Sequence, residues 1–217
     1  MKFSIAKSRS STTAVIHPQP QQNPHSDDQI SDNQPSTPLT LWKKSLLYCC
    51  CSGFTVFDSQ GKLVYRVDNY TDRPEDVVLM DNIGRPIYSI RRHKTVLGTT
   101  FGGTGDHWVI SDGESKTPAC NVKRPAGSLL SGSRSNDTVC HLFVKGSSVP
   151  DYWVQGSYVK RSCKVLDRAG KVVVEIRNKK TRNGSPSFGA EVFEMVLENE
   201  FNSGLAMALV LVLDQMI

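Results

Sequence analysis

Residues Leu205–Leu213, LAMALVLVL, are apolar without exception. A run this short does not span a bilayer, which takes about 20 residues. It is apolar on every side, so no face of it seeks water. The rest of the chain must therefore enclose it. Asn202-Ser203 just before it supplies a helix N-cap, and Ala206, Met207, Ala208 and the leucines favour a helix. Val210 and Val212 pull toward strand. We read a hydrophobic helix that forms the core of a sheet wrapped around it. A buried strand is the alternative, because periodicity cannot separate the two in an all-apolar run.

The remainder of the chain divides in two. Residues 1–38 are rich in Ser, Gln, Asn, Pro and His, as in HPQPQQNPHSDDQISDNQPSTP. Such a segment buries too little apolar surface to offset its ordering entropy, so it reads as a disordered tail. Its first 26 residues carry hydroxyls and no acid, a faint likeness to an organelle transit peptide, but only one Arg. Lys2, Lys7 and Arg9 balance Asp27, Asp28 and Asp32, so the net charge of +5 resides in residues 39–217. That mild excess permits an anionic partner without demanding one. With no apolar run near the N-terminus for secretion, the six cysteines are expected as free thiols.

From Leu39 onward, short apolar-rich runs alternate with Asp/Gly/Asn turns about every ten residues, the pattern of antiparallel β structure. One signature occurs three times: strand, D-x-x-G, strand, at Asp58–Gly61, Asp81–Gly84 and Asp167–Gly170. The Asp side chain closes a turn onto backbone N–H groups, and the Gly three residues later accepts positive φ. The first and third copies align at an offset of 109, which suggests two related halves built from consecutive hairpins. Gly98–Gly105 lacks the Lys-Ser/Thr of a phosphate-binding loop and reads as a long loop before a strand at Trp108–Ile110. Residues Pro125–Asp137 read as a second loop.

Little here points to catalysis. There is no C-x-x-C pair, and Cys140-His141 would face opposite sides of a strand, which argues against zinc. Cys140 or Cys163 with His93, His107 or His141 has no local signature of a nucleophile, so buried thiols are expected. Cys49–Cys51, after Leu46-Leu47-Tyr48, are candidates for S-acylation or, as we favour, part of a strand. We expect no enzyme, metal or cofactor. Basic clusters remain: Lys43-Lys44, Arg91–Lys94, Lys123-Arg124, Lys160-Arg161 with Lys164, and the cations from Arg177 to Arg182. Dispersed, they are solvated surface; gathered on one rim, they would attract phosphates.

Several segments together resemble the plant LURP-one-related (LOR) family. They include Trp42–Leu46, Gly53–Asp58, Leu63–Tyr70, Val78–Asp81 with Gly84–Pro86, Ile90–Arg92, Gly156–Tyr158 with Lys160–Val165, and Leu205–Val210 with Asp214-Gln215. The resemblance covers residues 39–217 in order. It departs from the family pattern in the longer Gly-rich loop, in the polar tail and at Gly204. It implies the tubby C-terminal and phospholipid scramblase superfamily, with a closed antiparallel barrel of about twelve strands enclosing the C-terminal helix. Each half-repeat would supply half of the wall. Tubby-type domains bind phosphoinositides and can be membrane-tethered transcription regulators; the family name implies plant defence.

The reading is thus a monomeric, non-enzymatic binding module. Its expected partner is phosphoinositide or another anionic membrane lipid. The candidate contacts are Arg91, Arg92, Lys94, Lys160, Arg161 and Lys164. The alternative is a protein-interaction or transcription-linked regulator with no lipid ligand. Direct nucleic-acid binding is not expected. The expected location is the cytoplasm, with the plasma-membrane surface or the nucleus as sites of action.

Overall fold

The computed structural model describes residues 38–45, 52–67, 76–93, 106–125, 138–180, 189–198 and 200–217. The tail to residue 37, Cys49–Cys51, Lys94, the Gly-rich stretch and residues 126–137 lie outside the described residues. Twelve strands occur in chain order: β1 (Pro38–Ser45), β2 (Ser52–Phe57), β3 (Leu63–Val67), β4 (Asp76–Asp81), β5 (Pro86–His93), β6 (His107–Asp112), β7 (Pro118–Lys123), β8 (Thr138–Val144), β9 (Tyr152–Ser157), β10 (Ser162–Asp167), β11 (Val172–Asn178) and β12 (Val192–Leu197). Among the described residues one helix, α1 (Ser203–Gln215), follows them. Each strand pairs antiparallel with its sequence neighbours, and β1 pairs with β12, so the sheet closes into a barrel. Closure removes the unpaired strand edges that an open sheet would present.

The apolar run fills the barrel. Ala206 to Leu213 are buried without a break, surrounded by inward residues such as Leu41, Leu79, Ile110, Leu142, Ile176 and Phe193. Each large aliphatic side chain enclosed in this way contributes roughly 1.5–3 kcal/mol. The helix starts where expected: the side chain of Asn202 accepts a hydrogen bond from the Leu205 N–H at 2.8 Å. The strand-favouring valines at 210 and 212 are overridden by this enclosure. Gly204 is part of the fit, because a Cβ there would sit 3.2 Å from the Tyr88 ring. Among the described residues, no helix is long and apolar enough to cross a membrane.

Antiparallel connectivity sends alternate connections to opposite ends. At one end, the turn end, lie the three D-x-x-G turns. The Asp58 carboxylate accepts from the N–H groups of Gln60 and Lys62, both at 2.9 Å. The Asp81 carboxylate accepts from Ile83 and Arg85, and the Asp167 carboxylate from Ala169 and Lys171. The closing glycines take φ of 79°, 90° and 80°. Each turn adjoins a register shift in its hairpin, so the extra residue forms a bulge.

A fourth turn at this end was not read from the sequence. Asp112 accepts from the N–H groups of Glu114 and Ser115, but Lys116, not glycine, takes the positive φ of 56°.

The proposed half-repeat is corrected by the topology. The offset of 109 carries β2–β3 onto β10–β11, eight strands along a twelve-stranded barrel, whereas two halves require a six-strand step. The repeating unit is the hairpin with its Asp-closed turn.

Candidate functional site

The other end of the barrel, the far end, receives the C-terminal turn of α1. That turn carries no basic residue of its own, although a helix C-terminus holds a partial negative charge. The wall supplies the cations. Strand alternation turns Leu39, Leu41 and then Lys43 inward, and Lys43 Nζ meets Asp214 Oδ1 at 2.7 Å. Tyr158 Oη donates to the same carboxylate oxygen at 3.4 Å. Burial, followed by the charge of Asp214, pushes the Tyr158 phenol well above its ordinary value. Trp108 Nε1 donates to Gln215 Oε1 at 2.8 Å, and Arg124 Nη2 donates to the Met216 carbonyl at 2.5 Å. The Arg92 and Arg124 guanidinium carbons lie 5.4 Å and 5.8 Å from the centre of the fully buried Trp108 ring.

These contacts sort the six sequence candidates. Arg92 points inward, over Trp108, and is paired with Asp106. Arg161 is 6% exposed, in the left-handed region at φ 51°. Its guanidinium carbon lies 4.2 Å and 4.1 Å from the ring centres of Tyr158 and Phe193, and its Nε donates to the Ala190 carbonyl at 2.9 Å. Arg92 and Arg161 therefore hold the interior of the far end together.

Arg91 and Lys160 face outward at the same end. Arg91 is fixed by Asp76 through Nε–Oδ1 at 2.6 Å and Nη2–Oδ2 at 2.8 Å. Lys160 is exposed at the tip of the tight turn between β9 and β10, beside Val159, which is 63% exposed. Lys164 lies away from that rim, on the outer face of β10. It lines an open groove of about 440 Å³ with Gln155, Ser162, Glu175 and Arg177, and both cations lie 3.9 Å from Glu175. Lys94 is outside the described residues. The far end thus brings together Arg91 and Lys160 outside and Arg92 and Arg161 inside, and leaves Lys164 on the wall.

Further cations at this end complete the rim. Lys123 ends β7 and Lys44 is the next-to-last residue of β1, both on the outer face, and Lys180 follows β11. Lys44 Nζ lies 5.7 Å from the centre of the Trp42 ring, which is 46% exposed. The turn end, by contrast, mixes both signs: the carboxylates of Asp58, Asp81, Asp112 and Asp167 close its turns, and Lys62, Arg85, Lys116, Lys145, Arg168 and Lys171 are exposed among them. Sequence reasoning missed the inward set of Lys43, Trp108 and Arg124. The alternation from Leu41, Ile110 and Val122 could have found it.

The sulfur chemistry is plain. Cys120, Cys140 and Cys163 are buried free thiols, and Cys140 and His141 do face opposite sides of β8. Burial pushes the Cys120 and Cys163 thiols up to about 12, and the Cys140 thiol upward as well. A thiol held this far from ionisation is a poor nucleophile.

Comparison with known proteins accords with this architecture. The LURP-one-related (LOR) family profile matches residues 37–214. Protein LURP-one-related 8 of Arabidopsis thaliana is 40% identical over 193 residues, covering 88% of this chain and 92% of its own. Protein LURP-one-related 17 of the same plant is 40% identical over 190 residues, covering 83% of each chain. An X-ray structure of an Arabidopsis thaliana protein covers 82% of this chain and 90% of its own with a TM-score of 0.54 at 19% identity, a likeness of fold. The barrel plugged by an apolar helix, the ordered motifs and the extent of these matches converge: the chain belongs to the LURP-one-related family.

Proposed function

We propose that the protein is a non-enzymatic module that docks on anionic lipid headgroups through the far end of its barrel, in a defence-related regulatory role at the inner face of the plasma membrane. The observation that carries this reading is the balance of charge between the two ends. At the turn end the exposed cations Lys62, Arg85, Lys116, Lys145, Arg168 and Lys171 stand among the carboxylates of Asp58, Asp81, Asp112, Glu114, Asp151, Asp167 and Glu198. At the far end the exposed cations, Lys44, Arg91, Lys123, Lys160 and Lys180 among them, outnumber the exposed carboxylates of the described residues. Each cation held near an anionic membrane surface contributes about 1 kcal/mol, and the attraction fades within a Debye length. Trp42 and Val159 are exposed at the same end. Apolar and aromatic groups beside cations suit the boundary between water and bilayer. The resemblance to tubby C-terminal domains and scramblases supports the same partner. Lys94, between Arg92 and β6 in sequence, belongs to this proposed set.

The test is co-sedimentation of the full chain with phosphatidylcholine vesicles, with and without phosphoinositide, across a salt series. Salt-sensitive binding that falls on changing Arg91, Lys123 and Lys160 to Glu supports the reading. Absence of binding at low salt overturns it. The second reading, a protein-interaction regulator without a lipid ligand, draws on the groove beside Lys164, where both signs of charge face solvent together. Mixed charge suits a polypeptide better than a uniformly anionic membrane.

A further inference from the structure

The outer face of β5 to β9 carries one continuous cross-strand line. His93 stands opposite His107, His107 opposite Lys123, Lys123 opposite His141, and His141 opposite Trp153. All five side chains point outward, since their neighbours Trp108, Val122, Cys140 and Val154 point into the core. The His93 and His107 rings stack at 5.0 Å with 9° between their planes. Neighbouring strands lie about 4.8 Å apart, so the line runs roughly 20 Å around the barrel. It starts at the far end, on the outer face that also carries Arg91, where His93, His107 and Lys123 lie at strand ends, and descends the outer wall through His141 to Trp153, the second residue of β9.

We infer that the far-end part of this line, His93, His107 and Lys123 with His141 on the wall just below them, meets an anionic lipid surface, and that the contact strengthens as the medium acidifies because imidazoles gain charge beside Lys123. The inference rests on the lipid reading above and names both the contact surface and its regulation. Histidine is the side chain whose ordinary titration lies near physiological pH.

The groups facing the line, among the described residues, leave the imidazoles as the variable charge. From β5 come Arg91, matched by Asp76, and Arg92, matched by Asp106. Asp106 also adjoins His107 in the chain. From β7 comes Lys123, whose ammonium lies 5.3 Å from the centre of the Phe143 ring on β8. From β9 comes Trp153, and just before that strand Asp151, matched by Arg168. Lys123 is therefore the line's standing cation, and each imidazole that gains a proton adds to it. Burial, His93 and Lys123 hold His107 below its ordinary value, with Asp106 opposing. A neighbouring anionic surface relieves that repulsion, so binding and proton uptake assist each other.

The experiment uses the full chain and phosphatidylcholine vesicles containing phosphatidylglycerol, whose phosphodiester stays anionic throughout the range. Binding should be about tenfold or more stronger at about pH 5.5 than at about pH 7.5. The variant H93Q/H107Q/H141Q should keep the binding seen at the higher pH and lose most of the gain. His17 and His25 stay in place as an internal control. Mixing the unsubstituted chain with the vesicles in weak buffer at about pH 6.5 should take up protons, a readout that needs no variant. Binding without pH dependence, a gain that survives in the triple variant, or binding without proton uptake overturns this inference alone. No binding at either pH overturns the lipid reading as well.

Discussion

The two ends of the barrel solve the same problem, joining antiparallel strands, by different means. At the turn end the solution is local: an Asp and a positive-φ residue within a few positions close each of four turns. At the far end the connections are longer, apart from the tight turn at 158–161, and order comes from contacts distant in sequence. Lys43 reaches Asp214, Trp108 reaches Gln215, and Arg124 reaches Met216. The contrast teaches that the carboxylates of the four turns are consumed by the fold. Charge at the far end is divided between an inner ring that holds the helix and an outer rim that faces solvent.

The largest expected effect separates two glycines. Gly156, near the far end, has φ 102°, and a Cβ there would sit 2.3 Å from the Ser162 carbonyl oxygen of the paired strand. Gly61, in a turn, has φ 79° and open space around it. Gly156→Ala should destabilise by about 3–4 kcal/mol, since both strain and a backbone clash must be relieved. Gly61→Ala should lose about 1 kcal/mol, from backbone strain alone. Urea denaturation of both variants measures the difference. Equal losses would mean that the far-end strands shift freely, and would sink the idea that β9 and β10 are locked there.

Next come the adjacent residues Lys160 and Arg161. Arg161→Ala removes a buried guanidinium from two aromatic faces and a carbonyl, and should cost about 3 kcal/mol. Lys160→Ala should leave stability within about 0.5 kcal/mol and, on the lipid reading, weaken vesicle binding instead. If Arg161→Ala is as stable as the parent, the distinction between inner ring and outer rim fails at this turn.

The anchoring of α1 gives a third test. Asp214→Ala leaves Lys43 without its carboxylate and should cost about 2 kcal/mol, moderated because both side chains keep some contact with water. Ser203→Ala, at the turn end, removes the 2.7 Å hydrogen bond with Tyr65 Oη and should cost about 1 kcal/mol. The reverse order, by urea denaturation, would place the stronger grip on the helix at its N-terminus.

What could be read from the sequence follows the same division. The D-x-x-G turns were legible because Asp and Gly act within four residues, and α1 was legible because an all-apolar run has to be enclosed. The apparent half-repeat misled for the same local reason, since identical turn chemistry recurs in any hairpin. Lys116 was missed because nothing in a Lys announces positive φ. The candidate rim was only half legible. Arg91 and Arg92 are neighbours with opposite fates, and their parity relative to Ile90 could have told them apart. Arg161 lies in a turn at φ 51°, where strand parity does not apply. Its inward course depends on Tyr158, Phe193 and Ala190, the last two far along the chain.

The smallest effect is one of pH, and it separates the ends by where each responds. The folded state holds His107 below its ordinary 6.5, so on acidification the unfolded chain takes up that proton first. The far end should therefore begin to lose stability as the pH falls below 6.5, and the loss stops growing once the folded protein is protonated too. At the turn end, desolvation pushes the Asp81 carboxyl up, but hydrogen bonds from Arg85 and Ile83 outweigh it and leave a net lowering. Hydrogen bonds from the Ser115 backbone and hydroxyl lower that of Asp112. Carboxylates lowered in the folded state give stability that is fully present above their ordinary 3.8 and is lost as the pH falls through the folded values. Urea midpoints measured across pH at constant ionic strength should thus fall in two steps. His107→Gln should remove part of the upper step and spare the lower, and Asp112→Asn should do the converse. A single step confined to the carboxylate range would mean that His107 carries no desolvation penalty in the folded state.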